Sequence, residues 1–348
     1  MNISHSPFRG FVVNPTHEYL FFSYQRAIFI VTCPINLLTF YLIQTKTPGR
    51  STTFKKLMLH LHFWVSIYDV FNAILFLPVP LFPIVAGYCE GILCNIGLPM
   101  HYGLSLMHML FTNITYSLFI GYIYRHQALL QSGHFLKLGK RRAIIFGCFL
   151  WLFYQTAFIC RFFNVDESYA KVHLEATYPD MMWLMDKQDW CYYNMEDPNS
   201  SERVIAKFVG FKNSVFSPWL IFAMVMHIFH ILRGYIPTMS ASTKRYHRHL
   251  TIVLIVQSSC LIFIFIPIAG SVFSIITQRW SYEVTFIFFG LLLLFSVAHS
   301  ICLIAMTPSY RGWIMSVLRL TPNSITVSVV SSSDYTTSSK ASFNLIIG

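Results

Sequence analysis

Residues 57–93 read LMLHLHFWVSIYDVFNAILFLPVPLFPIVAGYCEGIL, and the fold turns on this stretch. It follows a basic segment, 46–56, and stays apolar for longer than a helix of a soluble domain needs. Runs of about 18 or more apolar residues are membrane-span signals. One acid interrupts the run, Asp69, 12 residues beyond Leu57. At helical rise that is about 18 Å along the span, near the bilayer midplane. A carboxyl at such a depth is costly and by default has a role. Pro78, Pro80 and Pro83 follow. Each removes a helical donor and crowds the preceding turn, so the helix is expected to kink or open in its outer third and widen a cavity there.

Working outward, the chain has 348 residues, 55% hydrophobic and only 11% charged, with a mean hydropathy of +0.54. Soluble domains carry roughly 25% charged residues, so this is a membrane protein. Six further apolar runs join the second. The seven cover about 21–44, 57–83, 97–124, 143–161, 208–232, 250–277 and 283–306. Each can cross a core of about 30 Å as a helix, which bonds its own backbone in lipid. The expected fold is an all-α seven-transmembrane helix bundle, residues 21–306. The net charge of +11 does not indicate nucleic acid, because the cations sit in short loops between spans. Segments 46–56, 125–142 and 233–249 are basic and contain no acid, whereas nine acids lie between Asp166 and Glu202. The positive-inside rule then puts the N-terminus (1–20) outside and the C-terminus inside. Residues 1–19 lack a basic stretch followed by an apolar core, so the first span is expected to serve as its own insertion signal.

The largest segment between spans, 162–207, is acidic and carries Trp183, Trp190, Tyr192 and Tyr193. It is expected to be a lid over an outward cavity. N-glycosylation is expected at Asn2 and Asn199, both in sequons on the predicted outer side. After the last span, 307–320 carries Trp313, Ile314, Val317 and Leu318 beside Arg311 and Arg319, the pattern of a short amphipathic helix on the membrane surface. Residues 321–348, Ser/Thr-rich to Ser342, read as a disordered, phosphorylatable cytoplasmic tail.

Polar residues inside the spans are the candidate working parts. Asp69 is expected to meet others that face the bundle interior: Asn36, Asn72, Asn113, His299 and Ser300. Together they would form a buried polar or ion site whose packing changes on activation. His60 and His62, near the inner end of the second span, are expected to be interfacial. Pro267 is a second kink candidate. Arg125, His126 and Gln127 end the third span, where a cation can bond across the inner mouth of the bundle or snorkel to lipid. Of eight cysteines, Cys89, Cys94 and Cys191 fall on the oxidising side. Cys191 is expected to pair with Cys89, or else Cys94, tying the long loop to the bundle. Hydrolytic and phosphate-binding motifs are absent, and fourteen scattered histidines lack metal-ligand spacing. No enzyme activity, cofactor or metal is expected. The seventh span has no lysine, which excludes a retinal Schiff base.

The blocks Leu77-Pro78-Val79-Pro80-Leu81-Phe82-Pro83-Ile84 and Ala86-Gly87-Tyr88-Cys89-Glu90-Gly91 carry a family likeness. So do Tyr124-Arg125-His126-Gln127-Ala128, His299-Ser300-Ile301 and Thr307-Pro308-Ser309-Tyr310-Arg311. Over about 19–311 the chain resembles the nematode serpentine chemoreceptors, most closely class I (Sri), with class H (Srh) next. The resemblance implies a G-protein-coupled receptor for environmental chemicals in the plasma membrane of sensory cilia, with a small-molecule ligand, the lipid bilayer and a heterotrimeric G protein as partners. Arg125 matches the position where rhodopsin-like receptors carry Asp-Arg-Tyr, but no acid precedes it here. A seven-span transporter or channel is the alternative, since a mid-span acid and broken helices suit both.

Overall fold

The structure, a computed structural model, describes residues 12–47, 52–131, 133–162, 167–187, 189–194, 201–234, 240–277 and 281–318. Asn2, Asn199 and the tail 321–348 lie outside the described residues.

Helix α1 (Pro15–Lys46) starts where Asn14 Oδ1 accepts from the Thr16 amide at 2.9 Å and Pro15 takes the first turn. Helix α2 (Thr52–Val70) runs into a single π turn, Phe71–Leu75, closed by Phe76 N–H to Phe71 O at 2.8 Å. There the helix stops. Residues before proline are pushed to extended backbone, and three X-Pro pairs in succession make helix untenable. The second span therefore does more than kink: it opens into strand β1 (Pro78–Pro80), which pairs antiparallel with β2 (Ala86–Cys89), Val79 opposite Tyr88. The predicted helix to Pro83 is corrected to one ending at Leu75, still long enough to cross. The chain returns so closely that a Cβ on Gly91 would lie 2.2 Å from Leu75 O, so only glycine fits.

A short helix α3 (Ile92–Asn95) leads into α4 (Met100–Leu129), followed by α5 (Lys140–Phe162), α6 (Glu167–Thr177) and a 3-10 turn, Pro179–Asp186. Strand β3 (Cys191–Tyr192) joins the far edge of β2, with Gly87 opposite Cys191. Helix α7 (Ser201–Phe211) continues through a π turn, Lys212–Phe216, into α8 (Ser217–Gly234). Then come α9 (Ala241–Ser259), α10 (Ile262–Thr277), α11 (Tyr282–Met306) and α12 (Pro308–Val317).

Among the described residues, five helical segments are long and apolar enough to cross a membrane: α1, α2 with its π turn, α4, Thr243–Ser271 of the α9–α10 rod, and α11. Helix α5 and the rod α7–α8 complete the bundle of seven. In α4, 61% of the apolar window is buried, against 28–50% in the other four, so α4 is the central helix. The outward faces carry Ile30, Leu37, Ile145, Phe149, Trp219, Phe222 and Ile287 exposed, as lipid contact requires.

Helix α10 runs on through Pro267 without ending. The irregular turn lies earlier, at Cys260–Leu261, where Leu261 N–H bonds Ser258 O (3.0 Å) and Phe263 N–H bonds Cys260 O (3.1 Å). These three-residue closures tighten the helix locally. At the other end of the chain, α12 docks on α1: Tyr310 OH and Thr47 Oγ1 share a 2.6 Å bond, and Trp313 sits 5.5 Å from Tyr41. Its apolar residues divide, with Trp313 and Ile314 on the core and Val317 and Leu318 outward.

Candidate functional site

Midway along the bundle a polar cluster joins α1, α2 and α11. Asp69 Oδ2 accepts from Thr32 Oγ1 at 2.6 Å and from Asn36 Nδ2 at 3.2 Å. Asn36 is the hub: its Nδ2 also donates to Ser296 Oγ (2.8 Å), and its Oδ1 accepts from Ser300 Oγ (2.7 Å). The Asn36 carbonyl accepts from His62 Nε2 at 2.9 Å, which requires the proton on that nitrogen. The His62 ring stacks on His299 at 6.2 Å and 14°. His299 is 1% exposed, and neither ring nitrogen has a hydrogen-bond partner among the described residues.

Of the six polar residues picked from the sequence, Asp69, Asn36 and Ser300 bond in this cluster, and His299 lies against it. Asn72 and Asn113 do not join. Asn72 Nδ2 bonds Tyr68 O on its own helix, and Asn113 accepts from Trp151 Nε1 of α5 at 3.2 Å. Thr32, Ser296 and His62 were missed. His62 is fully buried, not interfacial. His60 is exposed and pairs with Ser117 of α4 at 2.9 Å. A spacing of seven from His62 to Asp69 puts both on one face of α2, which is the signal that could have found it.

One end of the bundle is closed by the three-stranded sheet and the segment α6–β3. Leu174, Met181, Leu184 and Tyr192 pack with Val79, Leu81, Tyr88, Phe21 and Phe286. Glu18 anchors this cap: its Oε1 accepts from Tyr88 OH at 2.6 Å and from Lys187 Nζ at 2.9 Å. Lys187 also lies 3.7 Å from Glu90. Burial, with Glu18 close by, holds the Glu90 carboxyl above its ordinary range, and Lys187 pulls the other way. His101 Nδ1 meets Tyr193 OH at 2.9 Å.

The expected Cys191–Cys89 bridge is corrected. Cys89 bonds Cys94 instead, and Cys191 stands in β3 opposite Gly87. The turn Glu90–Gly91 into α3 brings the Cα atoms of Cys89 and Cys94 to 6.0 Å, within disulfide reach. The long loop is held to the bundle by strand pairing, including Tyr193 N–H to Val85 O at 2.8 Å.

At the opposite end Arg125 is 3% exposed. Its guanidinium lies over the Phe54 ring at 4.2 Å and near Tyr124 at 5.6 Å, a cation–π arrangement. Its Nε and Nη2 have no hydrogen-bond partner among the described residues. His126 Nε2 meets His227 Nδ1 of α8 at 2.6 Å. Gln127 braces the following loop, donating to Leu136 O (3.0 Å) and accepting from Leu138 N–H (2.8 Å). Beside them, Arg233, Lys244, Arg245 and Arg248 surround a cavity of about 620 Å³. No group of three or more metal-ligating side chains occurs among the described residues.

No curated protein matches this chain at a significant level. A family model, serpentine type 7TM GPCR chemoreceptor Srh, matches residues 17–320. That range takes in the cap, the mid-bundle cluster and the Arg125 end together, and the class it gives is the second of the two resemblances, not class I. The family is one of multi-pass membrane receptors and not of enzymes. The chain belongs to the Srh family of serpentine seven-transmembrane chemoreceptors.

Proposed function

We propose that this receptor binds an environmental small molecule beneath the sheet cap, which faces outward, and activates a heterotrimeric G protein at the Arg125 end, which faces the cytosol. The absence of acids from the three basic loops supports this orientation. On this reading the protein works in the plasma membrane of sensory cilia.

The observation that carries the coupling role is Arg125. A buried guanidinium held by ring faces, with two nitrogens lacking partners among the described residues, is a donor set waiting for an acceptor. The rhodopsin-like lock to a preceding acid is not available, because Tyr124 occupies that place. In this proposal Phe54 and Tyr124 park the cation in the resting state. Movement of α9 then opens a groove where it meets a carboxylate or carbonyl of the G protein. Tyr122 OH bonds Ser258 Oγ at 3.0 Å and ties α4 to α9 just before the irregular Cys260–Leu261 turn. A ligand shifts this balance only by its differential affinity for the two arrangements. The Asp69–Asn36 cluster links α1, α2 and α11, so a change in ligand contacts on any of these helices is felt by the others.

The test is a chemical panel applied to cells carrying the receptor, a G protein and a calcium reporter. A response that depends on both the receptor and the G protein supports the proposal. Receptor-dependent flux of a test chemical into cells without G-protein signalling would favour a transporter or channel, the reading that a mid-bundle acid and the α9–α10 break also suit.

A further inference from the structure

We propose that Lys212 forms the head of the ligand site and that the ligand class is a small carboxylate with an apolar body. This rests on the receptor reading above and adds the chemistry of what is bound.

Lys212 lies in the π turn between α7 and α8, and its side chain is 0% exposed. A lysine near the end of a span ordinarily snorkels to the interface. This one turns inward. Its Nζ donates to the Tyr154 carbonyl of α5 at 2.9 Å and stands over the rings of Tyr154 (5.3 Å) and Phe208 (5.8 Å). Among the described residues no carboxylate lies within ion-pair distance. An ammonium has three protons to place, and one is accounted for here. A buried charge without a counter-ion is costly, and an anionic ligand would remove that cost.

The neighbouring groups are in the same condition. Asn213 is 2% exposed, and neither atom of its amide has a hydrogen-bond partner among the described residues. Gln155, 1% exposed, accepts at Oε1 from Thr112 Oγ1 of α4 at 3.2 Å, and its Nε2 has no partner among the described residues. Buried polar groups are nearly always bonded. A lysine, an asparagine and a glutamine with donors to spare, all close to the contact of α5 with α7–α8, form a donor-rich locus suited to a carboxylate. The π turn is itself a common mark of a functional site.

The apolar body also has a place. Ser217 Oγ donates to Lys212 O (2.8 Å) and bonds Tyr154 OH (2.7 Å). Ser217 also lines a cavity of about 260 Å³ with Ile221, Val225, Ile255, Leu261 and Phe265, and it is Ser217 that joins this cavity to Lys212, which is not itself in the wall. This is just below the usual ligand-pocket range, which starts at about 300 Å³, so the body is small. The cavity wall includes Tyr122, Ser258 and Leu261. Occupancy therefore bears directly on the irregular α9–α10 turn and on the α4–α9 tie.

The experiment uses the full receptor in nanodiscs. The probes are straight-chain carboxylates from butyrate to decanoate, each beside its primary amide, with thermal unfolding and direct binding as readouts. At least one acid is expected to bind and stabilise the wild type, and its amide is not. Lys212→Met should weaken acid binding roughly 10- to 100-fold, the worth of a charge-assisted hydrogen bond, and Lys212→Arg should restore much of it. Should Lys212→Met fail to fold, Asn213→Asp serves in its place: a protein carboxylate beside Lys212 should compete with the ligand's and lower acid binding. The proposal is overturned if no acid-specific stabilisation is seen, if amides bind as well as acids, or if both variants bind acids like the wild type. Acid binding without G-protein activation would keep the site and remove the receptor reading. G-protein activation by neutral molecules alone would do the reverse.

Discussion

Replacing Asn36 with leucine tests whether the mid-bundle cluster holds α1, α2 and α11 together. Leucine keeps roughly the volume and removes every polar atom of the side chain. Three hydrogen bonds go: to Asp69, to Ser296 and from Ser300. In membrane bundles such bonds are worth about 0.6 kcal/mol each, which gives about 2 kcal/mol. Ser300 and Ser296, 0% and 2% exposed, are then left beside an apolar group, and an unmet buried partner adds about 1–3 kcal/mol. The expected loss is about 3–5 kcal/mol. The control is Thr39→Val on the same helix. Thr39 is equally buried, but its hydroxyl bonds only Ile35 O of its own turn, at 2.7 Å. That change should cost less than about 1 kcal/mol. Unfolding by SDS from mixed micelles, followed by tryptophan fluorescence, reads both. Equal losses for the two variants, within about 0.5 kcal/mol, would refute the hub.

Three shorter predictions follow from other contacts. Asp69→Asn keeps an oxygen for Thr32 and Asn36 to bond, so surface delivery should persist while the concentration–response curve moves by about tenfold, roughly 1.4 kcal/mol; loss of delivery alone would make the acid structural. Cys191→Ser should leave surface expression intact, whereas Cys89→Ser should cost up to about 2 kcal/mol, the loop-closure value for so short a bridge; peptide mapping of the unreduced protein should show Cys89 joined to Cys94. Tyr122→Phe removes the α4–α9 bond to Ser258 and should raise basal nucleotide exchange by about fivefold, one net hydrogen bond of about 1 kcal/mol; unchanged or lower basal exchange would count against α9 as the moving part.

Much of this architecture was legible in the sequence, for a physical reason. Lipid demands long apolar runs, and such runs announce themselves without any tertiary information. Asp69 stood out because a mid-span acid is costly, and its partners Asn36 and Ser300 were found because amides and hydroxyls at similar depth have few alternatives. What was missed depends on rotation about the helix axis. Asn113 and Asn72 sit at plausible heights but on other faces, and Thr32 and Ser296 are too ordinary as residue types to draw notice. Lys212, at the first turn of its apolar run, drew no sequence reading, because a lysine near a span end ordinarily snorkels to the interface and nothing in the sequence shows that this one turns inward. The three prolines were read as a kink because the run around them is apolar. The spacing of Pro78 and Pro80 instead suits an edge strand, where a missing N–H costs nothing, and Pro83 falls in the turn that follows. The disulfide failed for a similar reason: the turn at Glu90–Gly91 brings Cys89 to Cys94, and no composition rule shows a turn that tight.

The coupling role of Arg125 is open to one direct measurement. Purified receptor and heterotrimeric G protein are combined in nanodiscs, and nucleotide exchange is followed across the chemical panel for wild type and Arg125→Ala. The receptor reading predicts that at least one chemical accelerates exchange by the wild type, and that Arg125→Ala still binds that chemical but no longer accelerates exchange. Equal acceleration by both proteins would contradict the role given to Arg125. No acceleration by the wild type, together with passage of a panel chemical across proteoliposomes, would contradict the receptor reading itself.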